Sequence, residues 1–278
     1  MSGLAVLLAL ASSVAWGTAD FAGGLISRRL PTLAVTVVSQ SAGLAALLVA
    51  VAVAGLRFDG RSFALGVAAG VGGGAGLAAF YRALALGTMS IVSPVVACGA
   101  VVPFAISLAT GERPSGIALA GAAVALGGAV LASVEERRAP ARERGRAIAL
   151  AVLAAGALGL FTYFLGLGSR EGSALSTLLG ARVGSLACLL LLAFYRGASL
   201  WVGQIYVLVA VGLTDVAANA LFALASTHGL LALVSVLGSL YPVTTVLLAH
   251  VVLGERLTGA QLAGVAVALA GVAALSVG

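Results

Sequence analysis

Long apolar runs separated by short polar breaks are the feature that most constrains this sequence. A membrane-spanning helix needs about 20 mostly apolar residues, and with that length as a ruler the chain divides into ten predicted spans. Their expected bounds are 4–26, 33–55, 62–86, 88–110, 115–134, 147–168, 173–195, 200–226, 229–252 and 258–277. The weakest breaks, at 87–88 and 227–229, carry almost no charge, so hydropathy alone allows nine, ten or eleven spans.

The composition excludes a water-soluble domain. Hydrophobic residues make up 62% of the 278 residues, charged residues make up 9%, and the mean hydropathy is +1.18. A soluble domain is closer to half apolar and a quarter charged. We therefore expect an all-α membrane protein with its apolar surface in a lipid bilayer. The uncharged start, Met1-Ser2-Gly3, argues against a cleaved signal peptide, and Cys98 and Cys188 are expected to be buried, unpaired apolar side chains.

The basic residues predict an orientation. All 15 are arginines, the net charge is +6, and most of them fall between apolar runs. Ten arginines lie in or beside loops that are predicted on the same side of the membrane as the central polar segment 135–146. Four lie in loops on the opposite side. The positive-inside rule then predicts that this linker is cytoplasmic and that both termini are outside. Without the linker the count is five against four, so one loop decides the prediction.

A sequence repeat relates the two halves of the chain. Matches at a shift of 142 residues are Gly17 with Gly159, Ser27-Arg28 with Ser169-Arg170, Phe80 with Phe222, and Ser93 with Ser235. At a shift of 143, Gly111-Glu112-Arg113 matches Gly254-Glu255-Arg256. The repeat predicts two five-helix units, 1–134 and 147–278. Because five is odd, the second unit enters the membrane from the opposite side, which makes an inverted repeat suited to alternating access.

Ionisable residues inside the predicted spans are the first candidates for a binding site, because they are costly in a membrane and usually face a cavity. Asp20 lies one helical turn after Trp16, and the pair could hold a cationic amine by cation–π contact and ion pairing. Asp20 could also carry a coupling proton. The alternative is an ion pair between Asp20 and either Arg182 or Arg82.

A second group of polar residues lies in the predicted seventh and eighth spans. Asp215 and Asn219 are four residues apart and share a helix face, which predicts a polar cavity wall or a hydrogen-bonded helix contact. Arg182 is expected either to pair with an aspartate or to bind an anion such as a carboxylate or phosphate. Its repeat counterpart, Gln40, is also polar, which suggests that the two residues share a role near the axis of the repeat. Arg182 and one of the aspartates together in a cavity would suit a zwitterion such as an amino acid.

Prolines mark the fourth and ninth predicted spans. Pro94, Pro103 and Pro242 each remove a backbone hydrogen bond, so we expect helix kinks or a gate there. Tyr241, next to Pro242, faces the solute or only packs.

Other motifs predict structure instead of chemistry. Glu112 and Glu255 are interpreted as turn residues, with Ser115 and Thr258 capping the helices that follow. The two histidines lack metal-ligand spacing, and the sequence has no phosphate-binding loop and no catalytic constellation. We therefore expect no enzyme activity, no cofactor, no metal and no nucleic-acid partner.

The two Gly-Glu-Arg turns carry a family resemblance. Each is preceded by a proline and followed by a Ser or Thr and a glycine-spaced helix, and Trp16-Gly17 lies in the first span. With these motifs the chain resembles the EamA-type ten-helix transporters of the drug/metabolite transporter superfamily over nearly its whole length. One departure is that Pro242 lies thirteen residues before Glu255, whereas Pro103 lies nine before Glu112. The resemblance implies transport of a small metabolite or drug, and such transporters are commonly drawn with cytoplasmic termini.

These observations together predict a multi-pass secondary transporter of the cytoplasmic membrane. We expect it to export an amino acid or a similar solute by alternating access, as a monomer or homodimer, with proton coupling as a further option. Efflux of cationic drugs is the alternative. A membrane scaffold or an intramembrane enzyme is a remote alternative. A scaffold would not need an inverted repeat with buried charges, and an enzyme would need a convergent set of catalytic residues that the sequence lacks.

Overall fold

A computed structural model describes residues 2–55, 58–87, 89–132, 141–203, 205–253 and 258–277, and every regular element in these ranges is a helix. The α-helices are α1 Gly3–Ile26, α2 Thr32–Ala54, α3 Gly60–Leu86, α4 Met89–Ala97, α5 Val101–Ala109, α6 Gly116–Ala132, α7 Ala141–Glu171, α8 Ala174–Arg196, α9 Ile205–His228, α10 Leu231–Gly238, α11 Tyr241–Leu253 and α12 Gly259–Val277. A short 3₁₀ helix, Cys98–Ala100, joins α4 to α5.

The helices follow the predicted spans closely. Within the described ranges, seven helical segments are long and apolar enough to cross a membrane, and one of them combines α10 with α11. Three shorter apolar helices cover Val95–Ala109, Gly116–Leu131 and Gly259–Ala274. The chain is therefore a multi-pass integral membrane protein. Helix α7 begins at Ala141, inside the predicted linker, because the Arg- and Glu-rich end of that segment favours helix; linker residues 133–140 lie outside the described ranges.

Two of the predicted spans are interrupted in the middle. The 3₁₀ helix breaks the fourth span, and the turn Ser239–Leu240 breaks the ninth, at almost the same position of the repeat. Pro242 is the second residue of α11 and Pro103 the third residue of α5, positions in the first turn where a missing N–H is tolerated. Pro94 lies within α4. A gating role for the three prolines stays a prediction.

Small residues let the two repeats approach closely. Gly66, Gly70 and Gly74 of α3 lie directly against the backbone of α8, where an added methyl group would overlap main-chain atoms. Helix α3 thus runs alongside α8 in the same direction, and α3 also packs on α7. The first repeat therefore meets the second along most of the length of α3.

The last helices of the two repeats pack on each other. Gly128 of α6 lies against Ala268 of α12, and Gly271 of α12 lies against Ala125 of α6. These contacts place the two helices antiparallel. Since α6 and α12 are counterparts in the repeat, this pair of corresponding helices points in opposite directions, as expected for an inverted repeat.

The ends of the helices form two opposite faces of the assembly. The Glu112 face includes residues 58–59 and the turns 110–115, 172–173 and 229–230, which polar contacts bring together. The linker face is formed by the opposite ends of the same helices and includes the turns 27–31 and 197–203.

The expectation that both cysteines are buried was wrong for Cys98. Cys98 is exposed at the 3₁₀ helix and Cys188 is half-buried, and both are free thiols. A weakly polar side chain in a membrane-spanning segment needs no burial within the protein, because lipid solvates it.

Candidate functional site

A central cavity is partly open to the outside, and the space among its lining atoms, with the open part included, is about 860 Å³. The cavity is lined from both repeats. All seven residues predicted for solute binding or coupling lie on its wall: Trp16, Asp20, Gln40, Arg182, Asp215, Asn219 and Tyr241. Pro103 and Pro242 are buried in the adjacent helices α5 and α11 and are not part of the lining.

The cavity wall follows the repeat. Eight pairs of lining residues are related by the shift of 142 residues, and both members of each pair reach the same cavity. The pairs are Trp16 with Leu158, Asp20 with Thr162, Gln40 with Arg182, Gly73 with Asp215, Leu77 with Asn219, Val96 with Gly238, Ala97 with Ser239, and Gly99 with Tyr241. The cavity therefore lies where the two repeats face each other.

Three side chains form a buried polar triangle at this meeting point. Arg182 Nη1 lies 2.8 Å from Asp215 Oδ2 in an ion pair, and it also donates to Gln40 Oε1. Gln40 Nε2 donates to Asp215 Oδ2 at 3.1 Å. Gln40 and Arg182 are repeat counterparts that touch each other, so they lie beside the axis that relates the repeats. Of the alternatives open for Arg182, the structure adopts the pairing with Asp215.

A second set of contacts ties α1 to α9. Trp16 Nε1 donates to Asn219 Oδ1 at 3.0 Å, and the indole ring packs against Phe222 with a centroid separation of 5.3 Å. Asn219 Nδ2 in turn lies 3.5 Å from Asp215 Oδ2. Trp16 is thus held in place on the cavity wall, and Asn219 both lines the cavity and joins two helices.

Asp20 is the unpaired acid of the cavity. Its side chain is buried, and within the described part of the chain its carboxyl group accepts no hydrogen bond and forms no ion pair. The alternative pairing with Arg182 is not adopted, because Arg182 pairs with Asp215, and Arg82 is exposed on α3. A negatively charged hydrogen-bond acceptor is therefore available on this wall.

Donor groups without partners lie on other walls of the same cavity. Arg182 Nη2, Tyr241 Oη and Ser235 Oγ are buried and have no hydrogen-bond partner among the described residues. Buried polar atoms are normally hydrogen-bonded, so these three are available to a solute or to water. The cavity thus offers a cationic donor and two hydroxyl groups in addition to the Asp20 carboxyl group.

The model of the EamA-like transporter family matches the sequence twice, over residues 3–134 and again over residues 145–277. The chain belongs to the EamA-like transporter family. This confirms the resemblance to the drug/metabolite transporter superfamily and indicates a membrane transporter of small solutes.

The fold of this EamA-family chain agrees with a solved structure. That structure, described as "Crystal structure of protein", superimposes with a TM-score of 0.78 at 20% sequence identity, covering 100% of this chain and 98% of the other. At this identity the likeness concerns the fold alone. A search of curated proteins gave no match to the sequence.

The sequence reasoning missed several polar residues of the cavity in this EamA-family chain. Thr162, Ser185, Ser235 and Ser239 all lie on its wall. The repeat itself held the signal for two of them, since Thr162 is the counterpart of Asp20 and Ser235 the counterpart of Ser93. Ser185 and Ser239 carry no comparable signal, because serines are common in apolar helices.

The predicted helix caps after the Gly-Glu-Arg turns are present. Ser115 Oγ accepts from Ala118 N at 3.0 Å, and Thr258 Oγ1 accepts from Gln261 N at 3.3 Å. Glu255 lies outside the described residues. Glu112 lies in its turn as expected, and its side chain also contacts Arg170 and the start of α10.

Proposed function

We propose that this EamA-family protein is a secondary transporter that exports a zwitterionic solute, such as an amino acid, across the cytoplasmic membrane. Two inverted five-helix repeats, ten spans in all, would alternate in opening the cavity to either side. The observation that carries the proposal is the presence of opposite charges in one cavity: the unpaired Asp20 carboxyl group and the unpartnered Arg182 Nη2.

The charges of the cavity favour a zwitterion over a purely cationic solute. Asp215 neutralises Arg182 but occupies only Nη1, so the guanidinium retains a donor for a carboxylate. Asp20 and the ring of Trp16 supply the partner for an ammonium group. A solute with both groups can bind Asp20 through its ammonium group and Arg182 Nη2 through its carboxylate. An amine alone leaves the buried Nη2 without a partner, at a cost in free energy.

Alternating access is supported by the arrangement of the repeats. Counterpart helices α6 and α12 are antiparallel, and eight repeat-related pairs of residues surround the cavity. Repeats of this kind can exchange conformations around a fixed site, which opens the site first to one side and then to the other.

Proton coupling through Asp20 is supported by its lack of a partner. Burying a charge without a counter-ion is costly, and either a proton or the ammonium group of the solute removes that cost. Competition between the two for one carboxyl group gives an exchange of solute against proton, which is a direct route to coupled export.

The second candidate, efflux of cationic drugs, is favoured by the aromatic side chains beside Asp20. Trp16 and Tyr241 both line the cavity, and aromatic rings with a carboxylate form a general site for organic cations. In that case Arg182 would serve only to bind Asp215 and Gln40.

Uptake into proteoliposomes separates the two candidates. The probes are three labelled compounds with one side chain: an α-amino acid, the amine lacking its carboxylate, and the acid lacking its amino group. We expect counterflow of the amino acid only, and its loss in Arg182→Gln but not in the surface control Arg61→Gln. Equal transport of the amine, with no effect of Arg182→Gln, would exclude the zwitterion and support the cation.

Coupling is tested in the same vesicles with an imposed pH gradient. We expect the gradient to drive accumulation of the amino acid in the natural protein. Asp20→Asn should abolish the response to the gradient, whereas Glu171→Gln, which neutralises an exposed carboxylate, should keep it. An unchanged response in Asp20→Asn would rule out coupling through this residue.

A further inference from the structure

Glu112 is held in a fixed position by the end of α5. Gly111 has a φ of 109°, a backbone conformation that favours glycine. The N–H of Gly111 donates to the carbonyl of Leu108 at 3.2 Å, and the N–H of Glu112 donates to the carbonyl of Ser107 at 2.9 Å. This pair of bonds is a Schellman motif, which ends α5 and directs the next residue away from the helix axis.

The Glu112 carboxylate binds the start of α10. Oε1 accepts from Leu231 N at 2.9 Å, and Oε2 accepts from Ala232 N at 2.9 Å. The first N–H groups of a helix have no partner within the helix, and the helix dipole favours a negative charge there. The side chain is only 12% exposed, so these bonds are largely protected from water.

Arg170 completes the contact. The guanidinium at the end of α7 donates to Glu112 Oε1, and its side chain is 33% exposed. Glu112 belongs to the first repeat, whereas Arg170 and α10 belong to the second. One carboxylate therefore joins the first repeat to two elements of the second at the Glu112 face.

Helix α10 connects this contact to the cavity. It spans only eight residues, its far end carries Ser235 and Gly238 on the cavity wall, and the turn Ser239–Leu240 separates it from α11. A short helix with a break at its end can move as a unit. Opening the cavity toward the Glu112 face requires α10 to move away from the turn that carries Glu112.

We infer that Glu112 and Arg170 form a latch that holds the Glu112 face closed and releases during transport. The latch rests on the alternating-access mechanism proposed above, and it assigns Glu112 a positioning role outside the solute site. Its release exchanges three hydrogen bonds to one carboxylate for hydration, which sets a barrier to opening this face. The sequence motif Gly111-Glu112-Arg113 thus acquires a role in the transport cycle beyond that of a turn.

Distances between spin labels across the Glu112 face test the latch. Labels at Phe58 of the first repeat and His228 of the second, both exposed, are introduced into a background with Cys98→Ala and Cys188→Ala. In lipid nanodiscs without solute, we expect Glu112→Gln to raise the fraction of long distances about tenfold, because it removes a charge-assisted contact with Arg170. Arg170→Gln, which keeps the α10 cap, should raise it several-fold.

Glu171→Gln is the matched control. Glu171 pairs with Arg61 at 2.7 Å on the same face, but the two side chains are 38% and 76% exposed. An exposed pair contributes little, so the distances should stay as in the natural protein. A distance distribution that is unchanged in both Glu112→Gln and Arg170→Gln would overturn the latch.

The outcome for the latch is distinguishable from that for the proposed function. Distances that respond to Glu112→Gln in a protein that transports none of the probe solutes would support the latch and contradict the transport proposal. Transport at a normal rate with unresponsive distances would do the reverse.

Discussion

The Glu112 face and the linker face occupy corresponding positions in the two repeats, yet their turns carry different side chains. At the Glu112 face, Ser62 Oγ donates to the carbonyl of Gly168 at 3.1 Å and accepts from Ser173 N at 3.0 Å. Asp59 N donates to Ser176 Oγ at 3.1 Å. These bonds join the first repeat to the second, and we call the contact the Ser62 seam.

On the linker face, two of these three bonds lack the groups that they require. Ser173 corresponds to Pro31, which has no N–H, and Ser176 corresponds to Ala34, which has no hydroxyl group. Asp59 corresponds to Trp201, whose side chain is largely exposed. The sequence therefore forms the Ser62 seam on one face only.

This difference shows that a fold built from two similar repeats can stabilise closure of one face more than closure of the other. Two repeats that exchange conformations would give two states of equal free energy only if the contacts at both faces were equal. Here the latch and the Ser62 seam both favour closure of the Glu112 face. We therefore expect the solute-free protein to rest in the state in which that face is closed.

The largest expected effect comes from the cavity, which both states share. Arg182→Leu leaves the largely buried Asp215 without its cation, and breaking a buried ion pair typically costs about 3–5 kcal/mol of stability. We expect a strongly lowered midpoint of thermal unfolding in detergent. The label distances across the Glu112 face should keep their natural distribution in the folded fraction, because the pair lies beside the axis of the repeats.

The double variant Arg182→Gln with Asp215→Asn is the control for that prediction. It removes both charges together and should recover most of the unfolding midpoint, since no uncompensated charge remains. A midpoint as low as that of Arg182→Leu would show that the ion pair is not the source of the loss.

A smaller effect should come from the Ser62 seam, and it should appear at one face only. Ser62→Ala removes a buried hydroxyl that bonds the second repeat twice, which is worth about 1–3 kcal/mol. We expect a higher fraction of long distances across the Glu112 face, measured with the labels at Phe58 and His228.

Ser226→Ala is the matched control for the Ser62 seam. Ser226 is equally buried, but its hydroxyl group donates only to the carbonyl of Phe222 in its own helix. The distances should stay unchanged in this variant. An equal response in both serine variants would mean that general loosening, not the seam, opens the face.

The smallest effect is a pH dependence at the same seam. The nearby side chain of Ser62, together with a hydrogen bond from its backbone N–H, lowers the pKa of Asp59, which caps α3 outside the membrane-spanning segment. Because this pKa is lowered in the folded state, the ionised Asp59 carboxylate stabilises the folded protein. This stabilisation is complete above the usual aspartate pKa of about 4 and is lost as the pH falls below it.

We expect the open fraction of the Glu112 face to rise slightly between pH 5 and pH 3 in the natural protein (about the range set by an aspartate with a lowered pKa). Asp59→Asn should give a curve without this rise over the same range. A rise of equal size in Asp59→Asn would assign the pH dependence to another group.

Most of the fold was predictable because, in a membrane protein, an apolar run of about 20 residues predicts a membrane-spanning helix. Helix bounds fell within a few residues of prediction for most segments, and the repeat could be found from polar matches such as Ser27-Arg28 with Ser169-Arg170. The residues of the cavity were predictable for a related reason: charged and amide side chains are rare in apolar runs, so Asp20, Arg182 and Asp215 stood out.

The partners of those residues were not predictable. Whether Arg182 pairs with Asp20 or Asp215 depends on the rotation of α1, α8 and α9 about their axes, which spacing within one helix does not determine. The role of Glu112 was missed because its partners at Leu231 and Ala232 lie 119 and 120 residues away along the chain. Backbone N–H groups at a helix start also leave no mark in the sequence.

The most direct test of alternating access is to measure both faces in one experiment with and without solute. One label pair, Phe58 and His228, spans the Glu112 face, and a second pair, Arg29 and Ser199, spans the linker face; all four positions are exposed. We predict that a transported amino acid shifts the two faces in opposite directions, with distances lengthening at the Glu112 face as they shorten at the linker face. Distances that change in the same direction at both faces, or that do not change at either, would contradict the account.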